Sequence, residues 1–268
     1  MALHRFTILG CGSSGGVPRL GGNWGACDPA NPKNRRQRCS LLVQRFDGDK
    51  ITTVLIDSSP DMRAQLLAAD IGHLDGVVYT HQHADHVHGL DDLRMIVFNR
   101  KKRLNVWADG PTQESLISRF GYAFIQPENS PYPPILDLKT IDGPVEITGE
   151  GGAITLAPFK VGHGSIDSLG FRIGNLAYLP DVAEMYAESW AAVQNLEVWI
   201  LDALRYTAHP THTHFDQSIE WIKKAAPASA VLTNMHIDLD YKVVCETTPE
   251  NVTAAFDGMQ IELDVPDR

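Results

Sequence analysis

A dense run of histidines follows a short apolar segment near residue 80. The segment Gly76-Val77-Val78-Tyr79 is typical of a buried strand, and the chain continues Thr80-His81-Gln82-His83-Ala84-Asp85-His86. Open α/β sheets place functional side chains where strands end. Neutral imidazole nitrogen and carboxylate oxygen are ligands that Zn²⁺ and Mn²⁺ accept. The run therefore predicts a metal site after a buried strand, in preference to a solvated polar loop.

Composition narrows the class of protein. The 268 residues are 43% hydrophobic and 21% charged, which is enough for one large core or two joined halves. The formal net charge is −10, whereas proteins that grip long nucleic acids usually carry a basic surface. We therefore expect a small substrate and no large nucleic acid partner.

The number of cysteines and the length of the apolar runs indicate a cytoplasmic protein. The 4 cysteines are scattered, we find no signal peptide, and we expect reduced thiols in the cytoplasm. No apolar run approaches the ~20 residues that cross a bilayer, so no membrane partner is expected. A homodimer is compatible with the sequence.

Strand-like and helix-like segments alternate along the whole chain. Strands are predicted at 5–9, 39–43, 53–57, 104–108, 154–159, 169–173, 176–181, 196–202, 230–236 and 260–263. Helices are predicted at 60–69, 87–97, 111–124, 182–193 and 215–226. No segment between the halves has the composition of a flexible linker. We therefore predict one domain, 1–268, made of two packed halves in an α/β layered fold.

Two N-terminal loops have alternative interpretations. The loop Gly10–Gly16 could present backbone N–H groups to an anion, or it could be a turn that needs positive φ. The polar segment from Val17 to Arg38 carries the basic cluster Arg19, Lys33, Arg35, Arg36 and Arg38, together with Trp24. This cluster either faces a phosphate of the substrate or is a solvated excursion.

Polar residues also end several later predicted strands. His163, Asp181 and His236 occupy such positions, and they join His81, His83, Asp85 and His86 as candidate ligands. One catalytic ion uses three or four protein ligands plus water, so seven candidates suggest two ions. Asp181 is the natural bridge, because a carboxylate offers two oxygens. Asp57 would either orient a ligand histidine or cap the following helix.

The motif His81-x-His83-x-Asp85-His86 is the signature of the metallo-β-lactamase-fold hydrolases, and this chain resembles that family over nearly its whole length. Asp57, His163, Asp181 and His236 match the remaining family positions in order. Within the family, the chain is most similar to the PhnP-type phosphodiesterases, which are related to the tRNA-maturing nucleases. The segments that carry this similarity are Gly10–Pro18, Arg38-Cys39-Ser40, His86–Arg94 and Asp238–Tyr241.

The resemblance implies an αββα sandwich with a site for two divalent ions, Zn or Mn. It assigns His81, His83 and His163 to one ion, Asp85, His86 and His236 to the other, and Asp181 to both. It also implies a further histidine near the leaving group. His212 fits best, because Asp216, Gln217 and Glu220 follow at the family's helix spacing. His214 is the second candidate for this substrate-binding role, and His209, before a proline, is assigned a structural role.

Two departures from the family pattern bear on the function. The N-terminal loop lacks the cysteine cluster that binds a structural zinc in some PhnP-type members, and the chain lacks the inserted arm with which the tRNA nucleases grip their substrate. We therefore expect no separate zinc site.

We predict a dinuclear-metal hydrolase of a small phosphodiester, such as a cyclic ribose or nucleoside phosphate. Asp85 and His212 are the predicted catalytic residues. Three alternatives stay open: a hydrolase of a thioester, lactone or lactam on the same fold, a tRNA-processing nuclease, and a non-catalytic metal-binding accessory or sensor protein.

Overall fold

A computed structural model describes residues 2–126 and 128–265. The strands in this part of the chain are β1 Ala2–Gly10, β2 Ser40–Asp47, β3 Lys50–Ile56, β4 Gly76–Val78, β5 Leu104–Ala108, β6 Leu136–Thr140, β7 Val145–Gly149, β8 Gly152–His163, β9 Ile166–Ile173, β10 Leu176–Leu179, β11 Val198–Asp202, β12 Ser229–Thr233, β13 Val252–Ala254 and β14 Met259–Val265. The α-helices are α1 Met62–Ala68, α2 Ala84–Val87, α3 Leu93–Arg100, α4 Gly110–Phe124, α5 Phe215–Ala225 and α6 Tyr241–Thr247. Short 3₁₀ helices cover Pro32–Asn34, Leu90–Asp92 and Glu188–Val193.

The strands form two seven-stranded sheets. Their orders are β14-β1-β2-β3-β4-β5-β6 and β13-β12-β11-β10-β9-β8-β7. Each sheet contains parallel and antiparallel pairs. In the first sheet, β3 to β6 are parallel to one another and β2 is antiparallel to β3. In the second sheet, β10 to β13 are parallel to one another, and β9 is antiparallel to both β8 and β10. None of the described helices combines the length and apolarity needed to span a bilayer.

The chain divides into two compact units. Unit 1 comprises the described residues of 1–9, 40–155 and 260–268, and unit 2 comprises 10–39 and 156–259. That the two form a single domain remains a prediction.

The core of unit 1 lies between its central strands and its helices. Val77 and Val106, on the parallel strands β4 and β5, pack in one buried cluster with Met62 of α1, Leu93 of α3 and Leu116 of α4. Every residue of β4 is buried, as expected for a parallel strand covered on both faces. The histidine run starts three residues beyond β4, so a rigid strand positions it.

The core of unit 2 follows the same logic. Strands β10 and β11 are buried at every position. Helix α5 buries Phe215, Ser218, Ile219, Ile222 and Ala225, the spacing of one helical face. Its lysines Lys223 and Lys224 lie in the last turn, where the helix dipole favours positive charge.

The predicted helix at 182–193 is wrong for its first half. Only Glu188–Val193 is helical, and it is a 3₁₀ helix. The reason is competition for backbone donors, since the N–H groups of Ala183 and Glu184 both donate to the carbonyl of Gly162. Val182 N donates to the Asp202 carboxylate at 3.1 Å. These bonds hold the segment against β8. Its N–H groups are therefore not available for the hydrogen bonds of a helix.

Other boundaries also differ from prediction. The predicted helix at 87–97 is broken, because Gly89 N donates to the Ser58 carbonyl between α2 and α3. Strands β10 and β12 end at Leu179 and Thr233, so Asp181 and His236 lie in the turns beyond them. His163 is the last residue of β8.

We predict that Gly89→Ala destabilises the protein by about 1–3 kcal/mol, through overpacking beside the histidine run. An added Cβ would lie 2.1 Å from the Ser59 carbonyl oxygen, which belongs to rigid backbone. Gly110→Ala is the matched control, because its Cβ would meet nothing within 4 Å. Urea denaturation measures both, and equal midpoints for the two variants would contradict the prediction.

Candidate metal centre

In unit 1, the buried carboxylate of Asp57 anchors the histidine run. Asp57 follows β3 with a left-handed backbone, φ 63°. It accepts hydrogen bonds from Thr80 N at 2.8 Å, Thr80 Oγ1 at 2.8 Å and His86 Nδ1 at 2.7 Å. Burial raises the pKa of the Asp57 carboxyl, and the bonds from His86 and Thr80 oppose that shift. Helix α1 begins only at Met62, with Asp61 at its N-cap, so Asp57 orients a histidine and caps no helix.

The hydrogen bonds around Asp57 set the tautomers of two histidines. His86 donates its Nδ1 hydrogen to Asp57. Thr80 Oγ1 gives its hydrogen to Asp57, so it accepts from His81 Nδ1 at 2.9 Å. Both imidazoles therefore carry their lone pair on Nε2, the form in which a neutral histidine ligates a metal.

The ligand atoms of unit 1 fall into two pairs. His81 Nε2 lies 3.0 Å from His83 Nδ1, and Asp85 Oδ2 lies 3.7 Å from His86 Nε2. Tetrahedral zinc with Zn–N of about 2.0–2.1 Å places neighbouring ligand nitrogens about 3.3 Å apart. The first pair has nearly the spacing of two ligands on one ion, and Asp85 lies beside His86.

In unit 2, His163 and Asp181 form a second buried group. His163 donates from Nδ1 to the Thr211 carbonyl at 2.5 Å, which leaves the Nε2 lone pair 3.4 Å from Asp181 Oδ2. Asn234 donates to the other oxygen, Asp181 Oδ1, at 3.2 Å. Among the described residues, the candidate ligand side chains include His81 and His83 in unit 1 and His163 and Asp181 in unit 2. The donor set, imidazole and carboxylate, fits a divalent ion such as Zn²⁺ or Mn²⁺.

His212 lies beside Asp181 and is hydrogen-bonded to Asp202, a residue that the sequence analysis did not single out. Its Nδ1 donates to Asp202 Oδ2 at 2.8 Å, and its Nε2 lies 4.0 Å from Asp181 Oδ2. Burial raises the pKa of Asp202 to about 7, although the neighbouring His212 opposes the shift. A carboxylate ending the otherwise apolar strand Val198–Asp202 was the signal that could have identified it.

The other late histidines have different surroundings. His236 Nδ1 contacts the carboxylate of Asp238, and the exposed guanidinium of Arg19 lies against its Nε2. Burial, followed by Arg19, lowers the pKa of His236 to about 4. His214 is the N-cap of α5 and makes no side-chain capping bond. His209 Nδ1 accepts from Thr211 N and faces Thr211 Oγ1, which supports the structural role assigned to it.

The basic cluster separates into residues with distinct roles. Arg36 is buried and donates to the carbonyls of Leu239 at 2.6 Å and His236 at 3.3 Å, so it is structural. Arg35 stacks on Trp24, and Lys33 lies over the rings of Tyr241 and Phe256. The guanidinium of Arg19 lies against the imidazole of a candidate ligand, His236.

The glycine-rich loop has a structural explanation. A Cβ on Gly12 would lie 2.9 Å from the Cβ of Arg36, and Gly16 has φ +64°. The loop therefore needs glycine for close backbone approach and for a left-handed turn. These contacts favour the turn interpretation over anion binding.

We predict that Asp57→Asn lowers the affinity for a divalent ion about 10–100-fold, because a neutral amide no longer orients His86 and Thr80 together. Zn²⁺ titration against a competing chelator measures the effect. Asp75→Asn is the control, since Asp75 accepts from Thr53 N at 2.9 Å in the same unit but contacts no candidate ligand among the bonds described. Equal affinities for the two variants would rule out the orienting role.

Known proteins share this fold and sequence. Residues 52–237 match the family described as the beta-lactamase superfamily domain. A crystal structure described as a new diphosphatase from the PhnP family is 33% identical, with a TM-score of 0.88 and 98% of each chain covered. Zinc-bound PqqB from Methylobacterium extorquens is 18% identical, with a TM-score of 0.74 over 97% of this chain and 100% of that one, which shows the fold alone.

A curated relative is named for a different activity. An octanoyltransferase of Porphyromonas gingivalis strain W83 is 34% identical over 263 residues, which is 97% of this chain. This chain spans only 52% of the length of that relative. Together, the family match and the PhnP-family structure confirm the predicted fold class, an α/β sandwich of the metallo-β-lactamase type. The chain belongs to the β-lactamase superfamily.

Proposed function

We propose that this hydrolase cleaves a small phosphodiester with the help of two divalent ions, Zn or Mn. The observation that carries the proposal is the 33% identity to a PhnP-family diphosphatase over 98% of both chains. That protein is named for chemistry at phosphorus. A cyclic ribose or nucleoside phosphate is the substrate class that we favour, and the net charge of −10 argues against a large nucleic acid.

The proposed ligand set has seven side chains. We assign His81, His83 and His163 to one ion and Asp85, His86 and His236 to the other, with Asp181 shared. The hydrogen bonds within each unit support this assignment. His81, His86 and His163 each donate from Nδ1 to an acceptor, which leaves Nε2 for the ion. The short spacings of His81 to His83 and of Asp85 to His86 support two separate ions.

When bound, two such ions lower the pKa of water and stabilise the oxygens of an in-line displacement. Side chains of this protein carry out the other steps. Asp85 accepts a hydrogen bond from the attacking water and orients it. As the water oxygen bonds to phosphorus and its proton passes to the Asp85 carboxylate, the bond from phosphorus to the leaving oxygen breaks, and protonated His212 donates its Nε2 proton to that oxygen. Asp202, bonded to Nδ1, holds the ring in place and stabilises its protonated form.

Arg19 completes the proposed substrate site. Its guanidinium is exposed beside His236, where it can pair with a phosphate of the substrate. Arg36 is excluded from this role because backbone carbonyls occupy its guanidinium. We also place the protein in the cytoplasm, which the free thiols of Cys11, Cys27, Cys39 and Cys245 support.

A second candidate is hydrolysis of a thioester. The 34% identical relative is named an octanoyltransferase, an enzyme of acyl transfer. About half of that relative lies outside the match, so its name need not describe the half that this chain resembles. A shared substrate panel separates the two candidates.

We expect exhaustive chelation to abolish hydrolysis of bis(p-nitrophenyl) phosphate, and added Mn²⁺ or Zn²⁺ to restore it. The panel compares that ester with a nucleoside 2′,3′-cyclic phosphate, a nucleoside diphosphate and octanoyl-coenzyme A. The proposal requires the highest kcat/KM on a phosphodiester. Highest kcat/KM on the thioester would establish the second candidate, and full activity of metal-free protein would refute both.

We predict that His212→Ala keeps the bound metal but lowers kcat about 10²–10⁴-fold, the usual contribution of a general acid. The variant loses the proton donor and the bond to Asp202. His214→Ala is the matched control and should keep most of its activity. Elemental analysis accompanies the kinetics, because loss of metal from His212→Ala would reassign this residue as a ligand.

A further inference from the structure

Ser13 of unit 2 buries a hydroxyl group without giving it a partner. This residue lies in the glycine-rich loop and is only 4% exposed. Its Oγ has no hydrogen-bond partner among the residues that the structure describes. Leaving a buried hydroxyl without a bond costs free energy, and native proteins keep few such groups. The hydroxyl therefore calls for an explanation, and a ligand that binds to it is one.

The backbone places Ser13 beside the candidate ligand His236. Gly12 and Met235 form a parallel bridge. Met235 N donates to the Cys11 carbonyl at 2.9 Å, and Ser13 N donates to the Met235 carbonyl at 3.4 Å. Successive side chains of an extended chain point to opposite sides. Met235 points into the core, where it is fully buried. Ser13 and His236, the next residue of each segment, therefore share the other side of the bridge.

A second donor reaches His236 by lying across the same loop. A Cβ on Gly15 would lie 3.2 Å from Arg19 Nε and 3.4 Å from Arg19 Cγ, so the side chain of Arg19 passes close over this glycine. The φ of Gly15 is outside the left-handed region, so its backbone conformation does not require glycine. The guanidinium of Arg19 lies against the imidazole of His236. The lack of a side chain at Gly15 therefore gives Arg19 its path to the candidate ligand.

Two hydrogen-bond donors beside one imidazole are complementary to an anionic oxygen. Ser13 Oγ can donate one hydrogen bond, and the guanidinium of Arg19 is a permanent cation with five N–H donors. Hydrogen bonds to an ionised oxygen are stronger than those between neutral groups. Both donors are side chains, so this arrangement differs from the binding of an anion by the backbone N–H groups of the loop.

We propose that Ser13 Oγ and the Arg19 guanidinium together bind a non-bridging phosphoryl oxygen of the substrate, and that Gly15 directs Arg19 toward it. This site rests on the proposed function, because a phosphodiester is the substrate that supplies the oxygen. Ser13 is then a substrate-binding residue, and Gly15 is a positioning residue that acts through Arg19.

Calorimetric titration of the metal-loaded protein with inorganic phosphate tests the site. Ser13→Ala is expected to weaken phosphate binding about 10–100-fold, as for the loss of a hydrogen bond to a charged group, and to lower kcat/KM for bis(p-nitrophenyl) phosphate by a similar factor. The metal content should not change. Ser14→Ala is the matched control, because Ser14 is exposed in the same loop, and it should bind phosphate as the wild type does.

Urea denaturation separates substrate binding from a structural role of Ser13. Because its hydroxyl makes no bond among the described residues, Ser13→Ala should unfold at the same urea concentration as the wild type or a higher one. A lower midpoint, or unchanged phosphate binding, would overturn the proposal. Phosphate binding that depends on Ser13 in a protein that hydrolyses no phosphodiester would refute the proposed function but support this site.

A double-mutant cycle tests the role of Gly15. Gly15→Ala alone is expected to weaken phosphate binding about 3–10-fold, because the added Cβ displaces Arg19. In the Arg19→Ala background, the same substitution should have no further effect. An equal loss in both backgrounds would show that Gly15 acts independently of Arg19, which contradicts the positioning role.

Discussion

A single buried carboxylate, Asp57, determines the conformation of the histidine run. A charge removed from water is costly unless hydrogen bonds replace its solvation. Asp57 receives three such bonds, from the backbone and hydroxyl of Thr80 and from His86. These bonds join the end of β3 to the segment that follows β4. They also settle which nitrogen of His81 and His86 carries a hydrogen, so the ligating form of both rings depends on this residue.

Local spacing was sufficient to identify the part of the candidate site that lies in the turn after β4 and in α2. Four candidate ligands fall within six residues, and their spacing alone indicates metal binding. They are His81, His83, Asp85 and His86. The strand Leu104–Ala108 was predicted with the bounds that the structure has, because its alternating burial leaves a two-residue period. The pairing of His212 with Asp202 was not predictable, because nine residues of irregular chain separate them and no local pattern records their contact.

The errors have physical causes that a linear pattern cannot express. Residues 182–187 have helical composition, yet backbone bonds to Gly162 and a bond to Asp202 draw them into another arrangement. The basic cluster also could not be divided by sequence, since Arg19 and Arg36 have the same side chain. Tertiary contacts bury Arg36 against backbone carbonyls and leave Arg19 exposed. The late Asp240 proved to be structural, because it caps α6 and accepts from Asn34 at 2.6 Å.

The proposed function requires two divalent ions per chain, with Asp181 shared between them. Elemental analysis of purified protein and of the Asp181→Ala variant, each after equilibration with excess Zn²⁺ and removal of free ion, tests it most directly. We predict about two ions per wild-type chain and fewer than one per variant chain, because the bridge serves both ions. One ion per wild-type chain, or two in the variant, would contradict the account.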